Sequence, residues 1–223
     1  MSDRNLDVPG CANLRDLGGC TTRRREVLAH GRLFRGAAPA APESTTALVA
    51  RIGLRRVIDL RMDEEVAQAA APVLPTDCAW VRLPLFYALQ PNWPHPVDRS
   101  PPATAARYLE MAQAGISTIT RVVELLEDVN ARPTLIHCVA GRDRTGIVVA
   151  FLLDLVDVPD AMIAGDYALS SVMDDAEGRK ANPENILILL QLVRERFGSV
   201  REMLLSAGAS AASMDRLRAA LVG

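Results

Sequence analysis

Residues 134–156 restrict the fold of this chain more than any other stretch. A short β-rich run, 134–137, leads through a turn containing Gly141 into a strongly apolar helix of about 144–156, which Pro159 closes. Further β-rich runs lie at 32–35, 57–60 and 79–83, with segments of helical spacing between or after them. That alternation argues an α/β arrangement rather than separate α and β halves. Helices are expected at 44–52, ended by Gly53, at 102–113, where proline suits the first turn, and at 116–129. The last third reads as helical, at 160–170, 183–197 with Asn182 as N-cap, 200–205 and 210–222. Residues 16–25 and the proline-rich 90–102 read as loops, and no repeat or low-complexity linker interrupts the chain. Its 223 residues, 49% of them apolar, fit one domain over 1–223 with a sizeable core.

Composition excludes several classes of function. The net charge of −2 comes from interspersed acidic and basic residues, so no electrostatic footprint for nucleic acid or an anionic membrane is present. The first residues carry no apolar run of a secretory signal. The longest apolar stretch, 146–153, is too short to span a bilayer, so a soluble, cytoplasmic protein without membrane insertion is expected. The cysteines, Cys11, Cys20, Cys78 and Cys138, show no CxxC spacing. With only His30, His95 and His137 beside them, neither a metal site nor any other cofactor is expected, and reduced thiols are the default. Oligomeric state is left open.

The chemistry lies in Ile136-His137-Cys138-Val139-Ala140-Gly141-Arg142-Asp143-Arg144-Thr145-Gly146. A turn between a strand and a helix can aim its backbone N–H groups at an anion, and the span from Cys138 to Arg144 is short enough to wrap one tetrahedral group. Gly141 lets backbone approach closely, and Gly146 lets the helix begin without a side-chain clash. Arg144 can donate two parallel hydrogen bonds to phosphate oxygens, as a lysine cannot. A free thiol titrates near about 8.5, and the helix N-terminus, the turn amides and Arg144 all favour the reactive thiolate. The same field stabilises charge on a transferring phosphoryl group. A lone cysteine is more often a small buried apolar residue. The coincidence of His, Cys, two glycines, Arg and Thr before an apolar helix overrides that reading.

The run HCVAGRDRTG resembles the HCxxGxxRTG signature of protein tyrosine phosphatases, and GRDRTG is similar to the GKDRTG loop of the bacterial tyrosine and lipid phosphatase family. Asn13-Leu14-Arg15-Asp16-Leu17-Gly18-Gly19 resembles that family's NxRDxGG motif. Gly31-Arg32-Leu33-Phe34-Arg35, Ile58-Asp59-Leu60-Arg61 and Phe197-Gly198-Ser199-Val200-Arg201-Glu202-Met203-Leu204 resemble its GxLFRS, DLR and YGSxxxYL elements. The resemblance implies a central, mostly parallel sheet flanked by helices, with the active turn at a strand's carboxyl end. It implies Cys138 as nucleophile, Arg144 as phosphate clamp, Val139, Ala140, Gly141, Arg142 and Asp143 as sources of turn amides, and Thr145 as an aid to thiolate or hydrolysis. His137 orients the turn from behind. Arg142 departs from the family's usual lysine, keeping the charge and changing its geometry. Phosphorylated proteins or small phosphomonoesters are the implied partners, phosphotyrosine first, then phosphoserine/threonine or phosphoinositide.

The proton donor to the leaving group is open among three residues. Asp143 lies in the turn, where a carboxylate facing a phosphate dianion is repelled and keeps a proton more readily. Its other reading is a first-turn acid serving the helix dipole. Asp98 and His95 lie in the loop after Trp93-Pro94, which resembles the Trp-Pro-Asp loop of eukaryotic tyrosine phosphatases. Arg15, Asp16, Arg35 and Arg61 either reach the substrate or form structural ion pairs at strand ends. Cys11, Cys20 and Cys78 are core residues or resolving partners for an oxidised Cys138. A phospho-binding pseudophosphatase needs only the acid to be lost, and a sulfurtransferase turn is usually one residue shorter.

Overall fold

A computed structural model describes residues 4–69, 73–85, 98–172 and 180–223. Its sheet contains β1 (Arg15–Asp16), β2 (Leu33–Gly36), β3 (Arg56–Asp59), β4 (Ala79–Arg82) and β5 (Thr134–His137), in the order β1-β2-β5-β3-β4. Only β1 runs antiparallel to its neighbour; the other pairings are parallel. β5 is buried along its whole length, as suits a short apolar strand with helices over both faces. Gly36 and Asp59 both stand opposite His137. Three strands therefore end level, and the residues next in the chain, Ala37, Leu60 and Cys138, emerge at one edge.

Strand alternation sends neighbouring side chains to opposite cores. Leu135, Phe34 and Val57 join the cluster that includes Leu48 and Leu54, beneath α1 (Pro42–Ile52). Ile136, Leu33 and Ile58 join the larger cluster on the other face, which surrounds α5 (Asp143–Leu155). Every residue of α5 from Arg144 to Leu153 is buried. Each fully buried Val, Leu, Ile or Phe contributes about 1.5–3 kcal/mol as an upper bound, so the helix behind the turn is rigidly seated. Around it lie α3 (Pro101–Ala114), α6 (Asp160–Ala168), α7 (Glu184–Phe197) and α8 (Val200–Ser206), with α4 (Ile116–Leu126) packed on α9 (Ala211–Leu221).

The expected strands and long helices are present within one to three residues of their anticipated ends. Pro183, not Asn182, holds the N-cap position of α7; Asn182 stands one residue before it, its Oδ1 accepting from the Glu184 N–H at 3.0 Å. The 116–129 segment is shorter than expected. Asp128 accepts from the Asn130 N–H at 3.0 Å and turns 129–131 into a 3₁₀ turn. Two elements were not anticipated: β1, which takes Asp16 out of the expected loop, and α2 (Asp63–Ala67). Residues 90–97 of the expected proline-rich loop, with His95, lie outside the described residues. No helix among the described residues is long and apolar enough to cross a membrane.

Candidate active site

Cys138 directly follows β5, and α5 opens at Asp143, so residues 138–142 form the turn between them. Its backbone carbonyls are held from outside, one after another. The Cys138 carbonyl accepts from His137 Nδ1 at 3.0 Å and the Val139 carbonyl from the Ala38 N–H at 2.9 Å. Asn13 Nδ2 donates to the Ala140 and Gly141 carbonyls at 3.0 and 3.1 Å. Arg35 Nη2 also reaches the Gly141 carbonyl at 2.8 Å, and the Gly146 N–H takes that of Arg142 at 2.8 Å. In a planar trans peptide the N–H points opposite the preceding C=O. Carbonyls tied outward therefore turn the amides of Val139, Ala140, Gly141, Arg142 and Asp143 to the other side, at the N-terminus of α5. That is an anion-binding geometry.

Gly141 is required by space as well as by conformation. Its φ is +67°, and a Cβ there would lie 2.1 Å from the Gly36 carbonyl oxygen at the end of β2. Gly146 has a different role. Its amide is used within the helix, and a Cβ would stand 2.8 Å from the Tyr167 ring, so the glycine admits α6 against α5. Thr145 is fully buried and its hydroxyl finds no hydrogen-bond partner among the described residues.

His137 is buried behind Cys138, donating from Nδ1, with Asp59 3.8 Å away. Burial lowers its pKa despite the nearby Asp59 carboxylate, which leaves a neutral ring at physiological pH. Arg144 is aimed by Glu65 of α2. Nη1 and Nη2 donate to Oε2 and Oε1 at 2.6 and 2.7 Å, end-on, and Nη1 also reaches the Leu60 carbonyl at 3.4 Å. Burial alone would raise the Glu65 pKa, but hydrogen bonds from Arg144 and from the Met62 N–H at 2.7 Å hold it below the usual value. The sequence reading missed Glu65. Its only signal was an acidic cluster, Asp63-Glu64-Glu65, after the strand.

Arg15 and Arg35 are each 1% exposed and belong to the scaffold behind the turn rather than to a substrate surface. Both pair with Asp166 of α6, at 3.0 and 2.7 Å, and Arg4 joins them at 3.2 Å. Three guanidinium groups share one carboxylate. Burial raises the Asp166 pKa, but Arg35 and Arg15 outweigh it and bring it down to about 2. Burial and then Arg35 lower the Arg15 pKa to about 10, because the cluster holds more positive than negative charge. Asp16 secures a turn through the Gly18 and Gly31 N–H groups at 2.8 and 2.9 Å. Arg61 pairs with the buried Asp59 at 2.7 Å.

Among the acid candidates, Asp143 sits in the first turn of α5, 28% exposed, beside Arg142 Nε at 3.3 Å. Its Oδ1 accepts from the hydroxyl of Tyr108, a residue of α3 that sequence reading did not single out. Asp98 instead accepts from the Ser100 N–H at 2.8 Å just before α3, and this bond lowers its pKa. Cys11, Cys20 and Cys78 are free and buried; Cys11 and Cys78 lie in the cluster beneath α1, and Cys20 accepts from Arg4 Nη1 at 3.1 Å.

The chain is similar to the triple specificity protein phosphatase PtpB of Mycobacterium tuberculosis, 27% identical with 97% of this chain and 99% of the relative covered. A tyrosine-protein phosphatase of Nostoc commune is 29% identical over 55% of this chain and 42% of its own length. Among solved structures, the Siw14 catalytic core aligns with a TM-score of 0.49 and 16% identity, covering 83% of this chain and 87% of that one. Residues 6–223, nearly the whole chain, match the tyrosine phosphatase family. The chain belongs to the tyrosine phosphatase family.

Proposed function

We propose that this chain hydrolyses phosphomonoesters through a cysteinyl-phosphate intermediate, with phosphotyrosine as the preferred substrate class. The observation that carries the reading is the outward tethering of the turn carbonyls, which points successive amides at one site beside Cys138. In this mechanism the phosphoryl oxygens lie in the amide ring with Arg144 across them, while Cys138 Sγ attacks phosphorus. The bond from phosphorus to the ester oxygen breaks, and Asp143 gives that oxygen its proton. Water then attacks phosphorus, the P–S bond breaks to regenerate the thiolate, and the water's proton returns to Asp143. Val139, 49% exposed on the turn itself, offers apolar surface to an aryl leaving group.

A wider substrate range is the second reading, favoured by the words "triple specificity" in the name of the relative from M. tuberculosis. A panel of phosphotyrosine peptides, phosphoserine peptides and inositol lipids, assayed in chelator with wild type and Cys138→Ser, tests both. The leading reading expects phosphotyrosine to be turned over fastest and Cys138→Ser to bind without turnover. Turnover undiminished in Cys138→Ser contradicts the mechanism.

A further inference from the structure

We propose that Tyr108, oriented by Tyr167 and Asn185, is a positioning residue that fixes the carboxyl of Asp143 for proton delivery. The inference rests on the reading of Asp143 as the acid.

Counting protons gives the direction of the hydrogen-bond chain. A tyrosine hydroxyl has one hydrogen. That of Tyr108 goes to Asp143 Oδ1. Between the two tyrosine oxygens, 2.8 Å apart, the donor must then be Tyr167. With its own hydrogen committed, Tyr167 can only accept from Asn185 Nδ2 at 3.4 Å. The result is a one-way chain from Asn185 through Tyr167 and Tyr108 to Asp143, in which each donor polarises the next.

The three donors of this chain are sealed from water. Tyr108, Tyr167 and Asn185 are 4%, 2% and 6% exposed. The rings meet edge to face, with centroids 6.3 Å apart at 77°. Gly146 of α5 leaves the room that Tyr167 fills. Thus α3, α6 and α7, each carrying one member, hold a single oxygen of a residue at the start of α5. Arg142 also donates to this carboxyl, from Nε to Oδ1 at 3.4 Å and from Nε and Nη2 to Oδ2 at 3.3 and 3.4 Å, so Tyr108 and Arg142 together set the plane in which a neutral Asp143 presents its proton. A carboxyl free to rotate would place that proton correctly only part of the time, and misplacement by about 1 Å costs on the order of 100-fold.

The test compares Tyr108→Phe, Asp143→Asn and the double variant on two substrates. One is a phosphotyrosine peptide, whose leaving group needs a proton; the other is an aryl phosphate whose acidic leaving group does not. Tyr108→Phe is expected to lose roughly 10- to 100-fold in kcat on the peptide, with KM unchanged, and less than about 3-fold on the aryl phosphate. The double variant should be no slower than Asp143→Asn alone, since the tyrosine acts through the carboxyl. Vanadate affinity, which reports the turn itself, should be unchanged in Tyr108→Phe. Equal losses on both substrates, additive losses in the double variant, or weaker vanadate binding would overturn the proposal. If Asp143→Asn spares neither substrate selectively, the acid assignment falls and the proposal with it. If Asp143→Asn discriminates between the substrates and Tyr108→Phe does not, only the role of Tyr108 falls.

Discussion

Replacing Glu65 by glutamine keeps the shape of the side chain that aims Arg144 and removes its charge. The carboxylate meets the guanidinium at 2.6 and 2.7 Å and also accepts the Met62 N–H at 2.7 Å. In Glu65→Gln one oxygen remains an acceptor, while the new NH₂ faces a guanidinium N–H, donor against donor. One charge-assisted hydrogen bond is lost, and such a bond contributes about 1.5–3 kcal/mol. Arg144 is 5% exposed but Glu65 is 32% exposed, so water compensates part of the loss. The lower part of that range, about 1.5–2 kcal/mol, applies here. At about 1.4 kcal/mol per factor of ten, this is roughly a 10- to 30-fold decrease. It should appear in kcat/KM for an aryl phosphate and as weaker vanadate binding, because both need the guanidinium correctly turned. Initial rates and a vanadate titration, with circular dichroism to confirm folding, measure it. A folded Glu65→Gln within twofold of wild type in both assays would refute the idea that α2 aims Arg144.

Asn13→Ala removes the donor to the Ala140 and Gly141 carbonyls; leaving the first without that partner should cost about 1–3 kcal/mol and weaken phosphate binding measured by calorimetry. Gly141→Ala meets the Gly36 carbonyl at φ +67°; left-handed strain of about 1–2 kcal/mol and overpacking of about 1–3 kcal/mol predict a loss of roughly 2–5 kcal/mol in urea denaturation. Asp166 gives the fold an acid dependence. Its pKa is lowered to about 2 from an unperturbed 3.8, so its contribution, about 2 kcal/mol, is present above about 4 and fades as pH falls through about 2. Urea midpoints across that range should drop in wild type and flatten in Asp166→Asn.

What the sequence made legible is what local pattern controls. The apolar run 134–137, the glycine turn and the apolar helix identify the strand, the strand-to-helix turn and the core helix because each is a neighbour of the next in the chain. Glu65 was invisible for a physical reason. Its helix buries no residue, so no apolar stripe marks it, and its partner Arg144 is brought near only when β5 inserts beside β3. Asn13 stood in a recognised motif, yet its hydrogen bonds to residues 140 and 141 exist only after β2 pairs with β5. Tyr108 and Tyr167 carry no signal in the sequence that links them to Asp143, and the chain by which Tyr167 meets Tyr108 and Tyr108 meets Asp143 arises from packing between α3, α5 and α6. Arg15 and Arg35 were open between substrate and scaffold, because sequence spacing does not reveal that one carboxylate at position 166 pairs with both.

The outward grip on the turn also governs how the product departs. Since the sheet and its flanking side chains keep the amides in place, the ring keeps its shape when it is empty. On the proposed mechanism, orthophosphate leaving the site meets the same donors that received the ester. Discrimination between incoming and outgoing anions then falls to the organic group, and a rising phosphate concentration is expected to act as a brake on turnover.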